Sequence, residues 1–316
     1  MTPATTALVV RGLSKRYELG SVVENVGFSV PAGSTAALVG PAGSGKTTIL
    51  RILLGLLEPS SGSAEITASP VGGMLAPRGL HPGRAARDHL LVYAAAAGVP
   101  DARVDAVLEA VGMKEAARVK AGALSIGQQT RLALATALLI DPAVLILDEP
   151  TEGLDPAERG WLHDFLRRHT RRGGTVLLSS ASLASVVAMA DQLIVVSEGS
   201  VVYQGTPAKL RRNHPDRLVV AASTPVALAT MLAARGYTDA VIRPDGRLAV
   251  AEASEAEIAD AAKAAGVRLD SVTPDPIHPD RVLASLTKPS KTAAPMFPPP
   301  AAHAPHPQPT PYGIPR

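Results

Sequence analysis

The chain has 316 residues, of which 46% are hydrophobic, and a formal net charge of +3. This length and composition allow one large domain with a sizeable core and a smaller domain beside it. The absence of cysteine excludes disulfides and thiolate metal sites, and no apolar run reaches the roughly 18 residues of a membrane-spanning helix. The small basic excess does not indicate a nucleic acid partner. The N-terminal segment lacks the features of a signal peptide, so we expect a cytosolic protein.

Residues 5–76 predict strands and turns, followed by a glycine-rich loop and a helix. The stretch LVGPAGSGKTTIL places Gly-x-x-x-x-Gly-Lys-Thr between an apolar strand, 36–39, and an apolar helix, which is the context that a P-loop requires. Its glycines let backbone N–H groups turn toward phosphate oxygens, and the positive end of the helix dipole points at the same place. The predicted nucleotide-binding residues of this loop are Gly40, Pro41, Ala42, Gly43, Ser44, Gly45, Lys46, Thr47 and Thr48.

Two side chains of this loop have separate predicted roles. Lys46 is expected to reach the β- and γ-phosphates of the nucleotide, and the hydroxyl of Thr47 is expected to be a ligand of Mg²⁺. The P-loop therefore predicts ATP and Mg²⁺ as cofactors.

The segment 77–140 is rich in alanine and predicts an inserted helical subdomain. Near its end, LSIGQQ precedes a long helix with an apolar stripe. Ser125 is the predicted N-cap, and the free N–H groups of that helix end form a second anion site. By itself this signal is weak, since an ordinary capped helix explains it equally well.

Residues 141–212 alternate strands with helices, which predicts a mainly parallel sheet covered by helices. In AVLILDEP, an apolar strand runs into Asp148 and Glu149. Carboxylates at the end of a buried strand are costly unless an ion or ligand uses them. We predict that Asp148 holds Mg²⁺ and that Glu149 is the catalytic residue, which polarises the attacking water.

The stretch TVLLSSASLASV predicts a further buried strand, 175–178, that ends in two serines and continues into an alanine-rich helix. Chemistry in open α/β sheets is concentrated at such strand ends. Here, however, the next ionisable side chain is Asp191, so the strand end is either a structural junction or a site without its usual residue.

Residues 213–288 predict a small domain with the order β-α-β-β-α-β, which is typical of a ferredoxin-like appendage. Thr224 and Ser254 are the predicted N-caps of its helices, with Glu257 completing a capping box, and Asp245–Gly246 is the predicted hairpin turn. From residue 289 to 316 the chain is rich in proline, which predicts a disordered tail.

Taken together, residues 5–212 resemble the ATP-binding subunits of ABC transporters, in the branch that exports drugs and antibiotics. LSIGQQ stands in the place of the LSGGQ-type signature of that family, with Ser125, Gly127 and Gln128 as the matching residues. EGLDP matches the D-loop through Asp155, and Tyr17 matches the aromatic residue that stacks on adenine.

The resemblance implies a P-loop NTPase core with antiparallel N-terminal strands and an ATPase activity coupled to transport. It implies two subunits, expected to be a homodimer, that enclose ATP head to tail, with Ser125 and Gly127 of one subunit facing the phosphate held by Lys46 of the other. It also implies a separate permease in the cell membrane, which exports a drug, an antibiotic or a lipid-like substrate and holds this chain at the inner face of the membrane.

Two positions depart from the family pattern. Ala181 stands where the family has a histidine that contacts the γ-phosphate, and Ala76 stands where it has glutamine or glutamate. His81 and His169 lack the spacing to replace them, so we predict slow turnover. A low-turnover regulatory subunit of an ABC complex is the alternative. A soluble ABC protein of ribosomes or DNA repair is disfavoured, because the chain has one ATPase half and no heptads.

Overall fold

The computed structural model describes residues 5–18, 20–275 and 278–287, and arranges their strands in three β-sheets. The predicted tail, 289–316, lies outside the described residues. The strands are β1 (Thr6–Tyr17), β2 (Gly20–Pro31), β3 (Thr35–Val39), β4 (Ser61–Ile66), β5 (Val71–Met74), β6 (Val144–Leu147), β7 (Thr175–Ser180), β8 (Gln192–Ser197), β9 (Ser200–Gly205), β10 (Arg217–Ala222), β11 (Ala240–Ile242), β12 (Leu248–Ala251) and β13 (Leu269–Asp275). The α-helices are α1 (Lys46–Leu53), α2 (Ala86–Ala97), α3 (Asp101–Ala110), α4 (Ile126–Leu138), α5 (Pro156–Arg171), α6 (Pro207–Asn213), α7 (Pro225–Ala234), α8 (Glu255–Ala264) and α9 (Pro279–Leu286).

The central sheet has the strand order β5-β6-β7-β3-β8-β9 and is parallel except for β9, which pairs with β8 in the antiparallel sense. Every residue of β3, β6 and β7 is buried, which explains their continuous apolar runs. The P-loop follows β3, and the segments after β6 and β7 leave the same edge of the sheet. The predicted mainly parallel sheet is confirmed, and its C-terminal edge carries the candidate site.

Two hydrophobic clusters cover the two faces of the central sheet. Successive residues of a strand point to opposite faces, so Leu145 and Leu147 pack on the side of the helical subdomain and α5. Val144 and Ile146 pack on the other side, against α1 and the antiparallel sheet β2-β1-β4. The central sheet is therefore the middle layer between helices and the predicted antiparallel N-terminal strands.

The segment that follows β7 differs from its prediction. β7 continues through Ser180, and the alanine-rich stretch after it forms turns, so the predicted helix is wrong. Short-range bonds from Val186 and Val187 to Leu183 O make up the turns. Leu183 and Val186 are fully buried, so packing against the core bends this stretch before it can propagate as a helix.

The third sheet has the order β11-β12-β10-β13 and carries α7 and α8, with its own hydrophobic cluster. The predicted β-α-β-β-α-β order is confirmed. Ser254 caps α8 as predicted, and hydrogen bonds from its hydroxyl, from its backbone N–H and from Tyr237 lower the pKa of Glu257 to about 2. Thr224 precedes α7 but makes no capping bond, because its backbone angles (φ −142°, ψ 81°) differ from those of the capping Ser254 (φ −83°, ψ 161°).

Helix α9 was not predicted from the sequence. It follows β13 but packs away from the small sheet, with Val282 and Leu283 in the cluster on the helical side of the central sheet. None of the helices in the described ranges combines the length and apolarity needed to cross a membrane.

Candidate functional site

The P-loop connects β3 to α1 and depends on glycine at several points. Gly43 and Gly45 have φ of 80° and 96°, which favours glycine over residues with a Cβ. A Cβ on Gly40 would overlap the carbonyl oxygen of Val196 on β8. The hydroxyl of Ser44 is buried and has no hydrogen-bond partner among the described residues. The loop thus packs closely against β8, which only glycine allows at position 40, and holds one buried hydroxyl without a partner among the described residues.

Lys46 is buried at the first position of α1. Its Nζ donates to Gly40 O at 2.8 Å and to Pro41 O at 3.1 Å, and lies 3.5 Å from Glu149 Oε1. The ammonium is therefore held between the P-loop and the end of β6. Phosphate oxygens would compete with these partners for the same charge.

Asp148 is buried at the C-terminal end of β6, and hydroxyl groups satisfy both of its oxygens. Thr47 Oγ1 donates to Oδ2 at 2.9 Å, and Ser179 Oγ, from β7, donates to Oδ1 at 2.5 Å. A hydroxyl and a carboxylate oxygen are hard ligands of the kind Mg²⁺ takes together with nucleotide phosphates and waters. Within the described ranges no cluster of three or more His, Cys, Asp or Glu could hold a metal ion.

Glu149 has a left-handed backbone, with φ of 46°. Such a conformation costs a non-glycine residue of the order of 1–3 kcal/mol and persists where its surroundings fix it. Its N–H donates to Ser179 Oγ at 2.9 Å, and its Oε2 accepts from Ala181 N at 3.0 Å. Sequence reasoning missed Ser179; the only signal was a serine at the end of a buried strand.

The segments after β3, β6 and β7 enclose a cavity of about 520 Å³. Lys46, Thr47 and Glu149 line it, and Ala181 lies on its wall, as expected for that position. The structure therefore brings the predicted cation, the predicted Mg²⁺ ligand and the predicted catalytic carboxylate to one place, beside the methyl group of Ala181.

The signature and the D-loop residue lie outside this cavity. Ser125 caps α4 through a reciprocal pair of bonds with Gln128, at 3.2 and 3.0 Å. Asp155 caps α5 and accepts from Glu158 N at 2.8 Å. A Cβ on Gly127 would overlap the carboxylate of the same Glu158. Glu158, which sequence reasoning missed, thus packs the start of α4 against the D-loop of its own chain.

Tyr17 ends β1 and also lies outside the cavity, with 41% of its surface exposed. It pairs with Gly20 at the end of the β1–β2 hairpin. A little farther along β2, Val22 comes so close to the P-loop that a Cβ on Gly45 would lie 2.7 Å from Val22 O. The hairpin end therefore adjoins the P-loop and presents an accessible aromatic ring.

Ala76 lines a second cavity, of about 430 Å³, on the other side of Asp148 and Glu149. The same cavity includes Gln129 of α4, whose Nε2 donates to Leu124 O at 3.0 Å. A glutamine amide is thus present beside the carboxylates, although it comes from a different element. In the sequence, this amide is indicated only by the second glutamine of LSIGQQ, which is Gln129.

Comparison with known proteins identifies the family of this chain. A family model described as ABC transporter matches residues 23–152. Nod factor export ATP-binding protein I of Burkholderia orbicola (strain AU 1054) is 37% identical over 215 residues, which cover 63% of this chain and 71% of the relative. SkfA peptide export ATP-binding protein SkfE of Bacillus subtilis (strain 168) is 36% identical over 206 residues, which cover 61% of this chain and 86% of the relative. A solved ATP-binding subunit of an ABC transporter superposes with a TM-score of 0.59 at 27% identity, over 66% of this chain and 93% of that chain. The chain therefore belongs to the ABC transporter family and is one of its ATP-binding subunits.

Proposed function

We propose that this chain binds ATP with Mg²⁺ and hydrolyses it to energise export through a separate membrane permease. The observation that carries the proposal is the convergence of Lys46, Asp148 and Glu149 at one edge of the central sheet. The names of its relatives refer to export of a Nod factor and of a peptide, which supports export as the direction. The proposed cargo class is a drug, an antibiotic or a lipid-like molecule.

Each residue of the site has a defined task in this reaction. Lys46 exchanges its P-loop and Glu149 partners for phosphate oxygens, which frees Glu149 Oε1. Thr47 and Asp148 would hold Mg²⁺, which would supply charge neutralisation on the phosphates. Ala181 N–H keeps the other oxygen of Glu149 in place, so that Oε1 can accept a hydrogen bond from the attacking water.

The positions of Ser125 and Gly127 support a second copy of this chain as partner. Ser125 is exposed, and neither residue lines the cavity of its own Lys46. A helix N-terminus attracts anions, so we propose that a partner subunit supplies the nucleotide phosphate that α4 faces. In this arrangement the closed homodimer encloses ATP, and the pair sits at the inner face of the cell membrane, bound to the permease.

The alternative is a subunit with low turnover that uses nucleotide binding for regulation. The methyl groups of Ala76 and Ala181 beside the carboxylates favour it, because neither can contact phosphate through a hydrogen bond. The intact arrangement of Lys46 and Glu149 favours hydrolysis. We therefore propose slow hydrolysis by the isolated chain.

Nucleotide binding and ATPase assays test the proposal, with co-purification of the permease from solubilised membranes. Lys46→Ala is expected to weaken Mg-ATP binding by at least about tenfold, since charge-assisted bonds to phosphate are lost. Lys114→Ala is the control, because that side chain is exposed and pairs only weakly with Glu109. Unchanged affinity in Lys46→Ala contradicts the site. Wild-type turnover no faster than that of Glu149→Gln supports the regulatory alternative.

A further inference from the structure

Asp280, in the first turn of α9, contacts the turn that follows β7. Its two carboxylate oxygens each lie 3.2 Å from Ser182 Oγ, which donates to them, and Oδ1 also accepts from Ala184 N at 3.2 Å. Ser182 in turn accepts from Ser185 N at 3.3 Å. The Asp280 carboxylate of α9 thus binds both the Ser182 side chain and the Ala184 backbone of this turn.

The same turn also contacts the proposed catalytic carboxylate, that of Glu149. Ala181 N donates to Glu149 Oε2 at 3.0 Å, and Ser182 N donates to Ser180 Oγ at 3.1 Å. The two contacts are therefore made by adjacent residues: Ala181 contacts Glu149, and Ser182 contacts Asp280. Displacement of the turn from α9 changes the direction of the N–H that holds Glu149.

Helix α9 packs into the core in the same hydrophobic cluster as this turn. Val282 and Leu283 are buried in the same cluster as Leu183 and Val186, which belong to the turn region itself. At the other end of α9, Thr287 O accepts a hydrogen bond from Ser197 Oγ at 3.4 Å. Helix α9 follows β13 in the chain, so the element that contacts the turn is covalently linked to the small sheet.

We propose that Asp280 is a positioning residue for Glu149. Through Asp280, helix α9 sets the rate of ATP hydrolysis. The inference rests on the proposed ATPase function. With a methyl group at position 181, the backbone N–H of Ala181 is the group of this turn that touches Glu149. The orientation of that N–H depends on where the turn lies, and Asp280 holds the turn at the neighbouring Ser182 and at Ala184.

Asp280 also has an ordinary structural role that the experiment has to separate. An acidic residue in the first turn of a helix stabilises the helix through its dipole, so Asp280→Ala removes two effects together. Ser182→Ala removes the side-chain contact while leaving the first turn of α9 unchanged. Asp280→Asn keeps an acceptor oxygen for Ser182 and Ala184 and loses the charge.

Steady-state ATPase kinetics of the full chain test the proposal. Asp280→Ala is expected to lower kcat about tenfold with KM for Mg-ATP changed less than about twofold, because Glu149 does not hold the nucleotide. Asp280→Asn should restore most of the rate. The rate loss in the double variant with Ser182→Ala should be smaller than the product of the two single losses, because both changes remove the Ser182–Asp280 contact. Arg281→Ala is the matched control, since its side chain is exposed on the same helix and it should keep the wild-type rate.

Hydrogen exchange gives a readout that does not depend on turnover. In Asp280→Ala, the amides of residues 181–185 should exchange faster, while those of β3 and β6 stay protected. Equal kcat in Asp280→Ala and wild type, strictly additive effects in the double variant, or unchanged exchange of the turn would each overturn the inference. An inactive wild type would instead contradict the proposed function, so the two failures are distinguishable.

Discussion

The C-terminal ends of the neighbouring strands β6 and β7 carry opposite kinds of residue. β6 leads into Asp148 and Glu149, whereas β7 ends in Ser179 and Ser180 and leads into Ala181. Ser179 of β7 nevertheless bonds to both Asp148 and Glu149, and Ala181, which follows β7, donates to the Glu149 carboxylate. A strand end without an ionisable side chain is thus part of the site, because its hydroxyl and backbone groups orient the charges of its neighbour.

The two strand ends contribute differently to the site, and substitutions can distinguish their contributions. The β6 end provides charge, so its loss should remove the reaction. The β7 end provides geometry, so changes there should alter the rate while the nucleotide still binds.

The largest expected effect is that of Glu149→Gln, which keeps the size of the side chain and removes the base. Turnover should fall about 100- to 1000-fold, in the range of general-base catalysis, while ATP affinity stays close to wild type. Size-exclusion chromatography with ATP should show a trapped dimer. Glu109→Gln, at an exposed position, is the control. A monomeric Glu149→Gln chain with the wild-type rate would refute the role of this residue.

A smaller effect, in the opposite direction, is expected for Ala181→His, which adds an ionisable group to the β7 end. An imidazole that donates to the γ-phosphate contributes roughly 1.5–3 kcal/mol. If this acts in the transition state, turnover rises by about one to two orders of magnitude. Ala181→Leu supplies bulk without a donor and should give no increase. A folded Ala181→His chain with unchanged turnover would indicate that Ser180, Ser182 or the backbone already does this work.

The smallest expected effect is that of Ser179→Ala, which removes the hydroxyl shared by the two carboxylate-bearing residues. Asp148 loses its 2.5 Å donor and Glu149 N–H loses its acceptor. Unsatisfied buried groups cost about 1–3 kcal/mol in unfolding free energy, and a misplaced Glu149 should lower turnover about five- to tenfold. Urea unfolding and ATPase rates measure both. Ser200→Ala is the control, because the Ser200 hydroxyl on the edge strand β9 makes only a 3.4 Å bond, and it should change neither quantity. Equal effects of the two variants would contradict the role of Ser179 in positioning the two carboxylates.

Several features of this protein could be predicted from the sequence because they depend on residues close together in the chain. The P-loop needs glycines and a lysine at short, defined spacing, and the apolar run before Asp148 shows a strand buried on both faces. Ser254 caps α8 through a residue three positions away. In each case, local chemistry and periodicity contain the whole signal.

Other features were decided by tertiary structure because their partners are distant in sequence. Ser179 reaches Asp148 across 31 positions, and Ser182 reaches Asp280 across 98. Gly127 has to be small because Glu158 occupies the space beside it, and burial of Leu183 and Val186 turns a predicted helix into turns. Which strands become neighbours, and where α9 packs, depends on how the elements bury their apolar faces against one another, and no short stretch of sequence contains that information.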